Sequence, residues 1–335
     1  MEKSQLKFGV DGKFTILHIA DMHLNPLRNS EEEINRKLDF IRTAVGNIKP
    51  DLVVLAGDNI FHVRRSRLLG FLNRRPIREA IHLYMSIFEE LQAPVAMVFG
   101  NHDEECGMGR KAQMKVYQSY SCNLSYRDDP RVSEVSNYYL PIHSSDGGNV
   151  KYLLWMIDSG TYYERPGDHA WVKEDQVAWY VRKSEGLKAA YGPVDAMAFQ
   201  HIIVPEIYDA LLDVPPGTPG AVTKPDAVVQ IGKYFALNPE NTAPGSFMGE
   251  FPCAPSRNTG EFAAMRGQGN VRAIAVGHDH LNGFIVRHQG IDIINTPGCM
   301  PDVAGGGARV ITLNESDTSQ YESYIYTFED YFGSE

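Results

Sequence analysis

The chain has 335 residues, of which 43% are hydrophobic and 22% charged, as is typical of a globular protein with a sizeable core. Its formal net charge of −10 argues against general binding to nucleic acid or to anionic membranes, since both require an excess of lysine and arginine. The four cysteines form no CxxC pair, so we expect reduced thiols and no zinc site built from thiolates.

The first half alternates apolar strands with helices. We predict strands over residues 14–20, 51–56 and 94–99, with amphipathic helices over 31–46 and 76–91 between them. This alternation is typical of parallel β-α-β units. Ligands bind beyond the carboxyl ends of such strands, so the polar residues that follow each strand are candidates for a functional site.

The second half is less regular. A hairpin is predicted from strands 137–140 and 151–157 around the turn Asp146-Gly147-Gly148, followed by a helix over 173–190 and buried strands over 194–199 and 271–276. Four further segments alternate in polarity and are predicted to form an antiparallel second sheet: residues 285–287, 291–295, 308–313 and 321–326. The fold class expected is α/β, a two-sheet β-sandwich flanked by helices in four αββα layers.

We expect one domain over residues 1–335. Within it, residues 205–260 are rich in Pro, Gly and Asn and are interpreted as a loop-rich insertion beside the active site. The alternative, a surface loop without a functional role, is nearly as well supported for this stretch. The first 12 residues resemble no secretory signal, and no apolar run reaches the about 20 residues needed to span a bilayer, so a cytoplasmic location is expected.

Five short segments place Asp, Asn or His at the end of an apolar run. They are Asp21-Met22-His23, Gly57-Asp58-Asn59, Gly100-Asn101-His102-Asp103, Gln200-His201 and Gly277-His278-Asp279-His280. Each segment alone is weak evidence, because such residues also cap helices, form turns or lie hydrogen-bonded in a core. Together they offer enough oxygen and nitrogen ligands for two adjacent metal ions, a device for hydrolysing phosphate esters.

The spacing of these residues suggests how they would share the ions. Side chains at i and i+2 of an extended chain point to the same side, so Asp21 and His23 should chelate one ion. By the same reasoning His278 and His280 should face one way. Asp58 is the best-placed candidate for a shared carboxylate. Carboxylate, amide oxygen and imidazole suit Zn, Mn or Fe.

The set D-x-H, G-D, G-N-H-D, a lone H and G-H-x-H resembles the calcineurin-like metallophosphoesterase family, and the neighbouring residues, such as GHDHLN at 277–282, are similar to a branch of Dcr2-type and purple-acid-phosphatase-like proteins. The resemblance implies one metal held by Asp21, His23, Asp58 and His280. It implies a second held by Asp58, Asn101, His201 and His278, with Asp58 bridging the two.

The resemblance also implies the chemistry. A hydroxide that bridges the metals would attack a phosphate monoester, His102 would act as general acid, and Asp103 would orient His102. The metal pair is left open among Fe, Mn and Zn. Phe61 and His23 stand where tyrosinate-iron purple phosphatases carry Tyr and Gly, so a purple absorption band is not expected.

Two alternatives remain open: a phosphodiesterase built on the same two-metal site, and a non-catalytic scaffold. The expected partner is a small phosphorylated substrate or a phosphoprotein, without nucleic acid or membrane. A basic cluster could contact substrate phosphates, although a solvated surface explains it better: Arg64, Arg65, Arg67, Arg74, Arg75 and Arg78. Other histidines have no ligand-like context and are interpreted as structural or surface residues: His18, His62, His82, His143, His169 and His288.

Overall fold

The structure is a computed structural model that describes residues 5–61, 74–162 and 168–332, without the side chains of Cys106 and Phe332. Within these ranges, two large sheets form the centre of the molecule. The first contains, in spatial order, β15 (Asp317–Thr327), β14 (Gly307–Asn314), β1 (Lys13–Ile19), β2 (Leu52–Ala56) and β3 (Val95–Val98). The second contains β12 (Ile285–His288), β13 (Ile291–Asn295), β10 (Val271–Val276), β6 (Asp195–Phe199), β5 (Val150–Met156) and β4 (Tyr138–His143).

The parallel β-α-β units expected for the first half are confirmed. Strands β1, β2 and β3 are parallel, with Ile16 beside Leu52 and Val53 beside Val95. All five residues of β2 are buried, as expected for a parallel strand covered on both faces. The hairpin of β4 and β5 is also confirmed as antiparallel.

Helices cover the outer faces of both sheets. They are α1 (Glu31–Ile48), α2 (Arg74–Glu90), α3 (Arg110–Tyr117), α4 (Glu174–Tyr191), α5 (Ile207–Ala210), α6 (Glu261–Gln268) and α7 (Phe328–Phe332). Helix α1 begins with a capping box, in which the Ser30 hydroxyl accepts from Glu33 N–H and the Glu33 carboxylate accepts from Ser30 N–H. Among the described helices, none is both long and apolar enough to cross a bilayer.

Three clusters of buried apolar side chains fill the spaces between the layers. One lies between the sheets and joins residues of β1, such as Phe14, to residues of β6, such as Phe199. A second packs α1 and α2 against the outside of the first sheet and includes Phe40 of α1. The third packs α4 against the outside of the second sheet through Trp179. This arrangement confirms the four-layer αββα sandwich.

One topological prediction is wrong. The four late strands do not form a second antiparallel sheet of their own. Strands β12 and β13 extend the second sheet, where β13 is parallel to β10, whereas β14 and β15 extend the first sheet from β1. Polarity alternation shows that a segment is a strand, but the partner depends on where the chain crosses between layers.

Residues 205–260 contain α5 and the short strands β7 (Leu212–Asp213), β8 (Phe235–Ala236) and β9 (Phe247–Met248), of which β9 pairs with β11 (Asn282–Gly283). The backbone N–H of Cys253 donates to the Asp279 carboxylate at 3.1 Å, so this stretch contacts the loop after β10. That residues 1–335 form one domain stays a prediction. The thiols of Cys122, Cys253 and Cys299 are free.

Candidate metal centre

The seven predicted ligands all lie just beyond the carboxyl ends of parallel strands. Asp21 and His23 follow β1, Asp58 follows β2 and Asn101 follows β3, while the others follow β6 and β10 of the second sheet. Because the ends of the two sheets face each other, residues 257 positions apart become neighbours: His278 N–H donates to Asp21 Oδ2 at 2.8 Å. The fold therefore brings the five motifs to one place.

The ligand atoms form two groups. In the first, Asp21 Oδ1 lies 3.3 Å from His280 Nε2 and 3.7 Å from His23 Nε2. In the second, which includes His278, Asp58 Oδ2 lies 3.2 Å from His201 Nε2. Asn101 belongs with this second group, because its Oδ1 is 3.0 Å from the same nitrogen of His201.

In the carboxylates of Asp21 and Asp58, one oxygen accepts a backbone hydrogen bond and the other has no hydrogen-bond partner. Asp58 Oδ1 accepts the His102 N–H at 2.8 Å, as Asp21 Oδ2 accepts that of His278. Asp21 Oδ1, Asp58 Oδ2 and His23 Nε2 are buried without a hydrogen-bond partner. Buried polar atoms left unpaired are costly, so this convergence fits a site for cations.

Charge supports the same interpretation. Burial alone raises the pKa of the Asp21 and Asp58 carboxyls, but the neighbouring imidazoles bring each pKa below its ordinary value, so both carboxyls are ionised. Asp58 Oδ2 also lies 3.6 Å from His23 Nε2, so this oxygen faces both groups. That Asp58 bridges two metal ions stays a prediction.

The backbone that carries the ligands is not extended. Asp21, His23, Asp58 and His278 have φ values of 56°, 48°, 50° and 70°. Residues other than glycine rarely adopt this left-handed conformation, and such strain concentrates at functional sites. Asp21 and His23 still share a group. The prediction that His278 and His280 face one way is wrong, because the left-handed turn at His278 sends them to different groups.

Close backbone approach requires glycine at two positions. A Cβ atom on Gly100 would stand 2.2 Å from Asp58 Oδ1, and a Cβ atom on Gly277 would stand 2.7 Å from Asp21 Oδ2. Both contacts are far shorter than van der Waals distance. The glycines before Asn101 and His278 therefore leave room for the carboxylates of other segments.

His102 lies at the rim of the centre, with 22% of its side chain exposed. Its Nε2 is 4.0 Å from Asp58 Oδ2, and its Nδ1 is 2.8 Å from Glu105 Oε2. The ring thus presents one nitrogen to the metal ligands and the other to a carboxylate. A general acid would need a nitrogen facing the centre in this way, and that role stays a prediction.

The orienting role expected for Asp103 is wrong. Its carboxylate accepts the backbone N–H groups of Gly100 at 2.8 Å and Asp58 at 3.0 Å, so it ties two ligand loops together. Burial and the nearby Asp58 charge raise the pKa of Asp103 to about 7. Glu105 takes the place beside His102, because the short 3₁₀ helix over His102–Cys106 turns residue 105 back toward residue 102.

Sequence reasoning missed a group of side chains from the segment after β5 and from the 205–260 stretch. The Tyr162 hydroxyl accepts from Asn101 Nδ2 at 2.7 Å, and His169 Nε2 lies 3.2 Å from His278 Nε2. Cys253 joins His169 and His278 in a third group of potential ligands. The interpretation of His169 as a residue without ligand-like context is wrong. No motif marks these residues; only the tertiary fold places them here.

Phe61 forms an apolar wall of the centre. Its ring stacks on His23 with centroids 4.7 Å apart and meets the His102 ring edge-on at 4.6 Å. The residue at the position of a metal-binding tyrosine in purple phosphatases therefore packs against two site histidines. It offers no oxygen to a metal.

Half of the basic cluster, Arg64, Arg65 and Arg67, lies outside the described residues. The other three arginines, Arg74, Arg75 and Arg78, are exposed at the start of α2, where Arg75 pairs with Glu79 at 2.7 Å. For these three, the solvated-surface interpretation is favoured.

Comparisons with known proteins identify relatives in sequence and in fold. "Probable inactive purple acid phosphatase 14" of Arabidopsis thaliana is 24% identical, over 97% of this chain and 79% of its own length. "Phosphatase DCR2" of Saccharomyces cerevisiae is 25% identical over 89% of this chain, which spans about half (48%) of that protein. The crystal structure of a dimetal phosphatase from Danio rerio superposes with a TM-score of 0.56 at 15% identity, over 94% of this chain and 99% of that one, a likeness of fold.

Residues 14–204 match the family model described as calcineurin-like phosphoesterase. That match covers more than half of the chain and includes four of the five metal-site motifs. Two metal ions are implied by this family. The chain therefore belongs to the calcineurin-like phosphoesterase family.

Proposed function

We propose that this protein is a phosphatase that hydrolyses phosphate monoesters at a centre of two metal ions. The observation that carries the proposal is the convergence of three buried, unpaired atoms, Asp21 Oδ1, Asp58 Oδ2 and His23 Nε2, beside the other ligand side chains. Two ions of Fe, Mn or Zn bound there would supply a water nucleophile of lowered pKa and would neutralise charge on the phosphate.

His102 is the proposed general acid. Its Nε2 faces the centre and would deliver a proton to the departing alkoxide, while Glu105 accepts the hydrogen of Nδ1 and holds the ring in place. The Phe61 ring meets the His102 ring edge-on, with centroids 4.6 Å apart. The proton donor is thus oriented by a carboxylate and by an aromatic contact.

Tyr162 is the proposed orienting residue for Asn101. Because the Asn101 amide nitrogen donates to the Tyr162 hydroxyl, its carbonyl oxygen is turned toward His201 and the second ligand group. Polar contacts of this kind around metal ligands commonly tune metal affinity and activity.

The substrate class that we propose is a small phosphorylated molecule or a phosphoprotein. The word "inactive" in the name of the Arabidopsis relative makes catalysis the first point to test. This chain retains all seven ligand positions and His102, which favours an active enzyme. A phosphodiesterase and a metal-free scaffold are the alternatives that the test must separate.

The test combines elemental analysis with two substrates. We expect about two metal ions per chain and faster hydrolysis of p-nitrophenyl phosphate than of bis-p-nitrophenyl phosphate. Faster hydrolysis of the diester would replace the proposal with a phosphodiesterase. Absence of both metal and hydrolysis would indicate a scaffold.

Variants assign the roles. Asp58→Asn should lose metal, whereas His102→Asn should keep metal and lose about 100-fold or more in kcat on an alkyl phosphate, whose leaving group needs protonation. His82→Asn, at an exposed position on α2, is the matched control and should behave as the wild type. Unchanged alkyl phosphate turnover in His102→Asn would refute the acid role.

A further inference from the structure

A cavity of about 570 Å³ opens between the edges of the two sheets. It is lined by β12 and β13 of one sheet, by β14 and β15 of the other, and by residues 243–247 of the loop-rich stretch. None of the described metal-centre ligands lines it. Its volume lies in the range of small-molecule sites, about 300–1,000 Å³.

Arg309 forms part of the wall and is only 3% exposed. Its Nη2 donates to the Asn295 carbonyl at 2.9 Å and its Nη1 to Ser323 Oγ at 3.3 Å, but its Nε has no partner. Both acceptors are uncharged. Within residues 5–61, 74–162 and 168–332, no carboxylate forms a salt bridge with this guanidinium.

The groups around Arg309 do not neutralise it. His18 faces it across the β1–β14 register, and burial, assisted by the Arg309 charge, lowers the pKa of His18 to about 3, so this ring is neutral. Burial lowers the pKa of Arg309 to about 10, which leaves it charged at neutral pH. A buried charge without a counter-ion is strongly unfavourable.

The remaining charges of the cavity cancel. Arg287 holds Asp292 through two contacts of 2.7 and 2.9 Å, and the Tyr321 hydroxyl donates to the same carboxylate. The described lining therefore carries one uncompensated positive charge, at Arg309, in a chain whose formal net charge is −10. Phe247, Ile285 and Ile325 supply an apolar wall beside it.

We propose that this cavity binds a small organic molecule through an oxyanion group, a carboxylate, phosphate or sulfate. The oxyanion would be held by Arg309 and the Ser323 hydroxyl, and the organic part by the apolar wall. A structural arginine that only supports the Asn295 carbonyl is the competing explanation. That role, however, is served by Nη2 alone and leaves both Nε and the cavity unexplained.

Crystals of the metal-loaded protein soaked in selenate test the site directly, because selenium can be located by anomalous scattering. A selenium peak beside Arg309 is expected, with a selenate oxygen within hydrogen-bond distance of its Nε. A peak at the metal centre alone, or no peak, overturns the proposal. This readout is independent of catalysis, so it holds whether or not the protein is a phosphatase.

Binding measurements in solution distinguish an inorganic oxyanion from an organic carboxylate as the ligand. Saturable shifts in Tm are measured with selenate, acetate and benzoate, and benzoate should bind more tightly than acetate if the apolar wall takes part. Arg309→Met should weaken binding about tenfold or more. Arg272→Met is the control: it removes an arginine of β10 that is paired with Asp195 of β6, and it should leave binding unchanged.

Ser323→Ala keeps the buried charge and removes one hydroxyl, so it provides a second variant if Arg309→Met fails to fold. It should weaken benzoate binding several-fold while leaving phosphate inhibition at the metal centre unchanged. Equal Tm responses of wild type, Ser323→Ala and Arg272→Met to benzoate would overturn the proposal.

Discussion

Tyr162 accepts a hydrogen bond from the Asn101 amide nitrogen at 2.7 Å, and its hydroxyl also lies 3.1 Å from His102 Nδ1. One phenol therefore contacts both a proposed metal ligand and the proposed acid. Burial raises the pKa of the Tyr162 hydroxyl well above its ordinary value, so it stays protonated across the working range of pH.

Tyr162→Phe removes this shared contact without changing the ring. We expect kcat for an alkyl phosphate to fall about tenfold while the metal content stays at the wild-type level. Steady-state kinetics and elemental analysis of the same preparations check this. Tyr126→Phe, which removes a hydroxyl bound to the Tyr139 carbonyl, is the control. Equal losses in both variants would point to a general effect on the fold.

Glu105→Gln tests the carboxylate beside His102. A neutral amide holds the ring but no longer stabilises a charged imidazole, so turnover of alkyl phosphates should fall about tenfold. Turnover of p-nitrophenyl phosphate should change less, because its leaving group needs little protonation. Glu104→Gln, at the neighbouring position with 53% of its side chain exposed, serves as the comparison. A similar loss on both substrates would argue against proton delivery.

Gly100→Ala tests the close approach of the ligand loops. The added methyl group would meet Asp58 Oδ1, so the shared carboxylate must move and metal affinity should fall about tenfold or more. Titration of the apo protein with metal ions measures the effect. Gly109→Ala adds the same methyl group where no atom lies within 4 Å. Wild-type affinity in Gly100→Ala would show that this segment does not need glycine.

Glu261 provides a test of stability against pH. Burial raises the pKa of this carboxyl from 4.5 to about 8. The folded chain therefore holds the proton more tightly than the unfolded chain. The stabilisation from this proton is complete below about pH 4.5 and is lost as the pH rises to about 8.

Glu261→Gln should remove that pH dependence. Relative to the wild type, the variant should gain more than about 1 kcal/mol in free energy of unfolding between pH 5.5 and pH 8.5. Urea denaturation at the two pH values measures the difference. The exposed Glu240→Gln substitution should show none. Parallel pH profiles for wild type and Glu261→Gln would mean that the buried carboxyl is not protonated in the folded state.

The ligand set could be predicted from the chain alone because each member directly follows an apolar strand. Parallel strands present their carboxyl ends at a common edge, so Asp21, Asp58 and Asn101 were expected to lie close together. The same local rule identified β10 and the histidines after it. The alternation of strands and helices predicted helices packed against the sheets, because parallel sheets have both faces covered.

The rest depended on contacts between distant segments. Left-handed turns, which residue spacing does not reveal, separated His278 from His280, and the turn of a short helix placed Glu105 instead of Asp103 beside His102. Local sequence therefore determined which side chains could bind metal. Only the tertiary structure decided how they are shared, and which of the other residues, such as Tyr162 and His169, join them, because those positions follow from packing between layers.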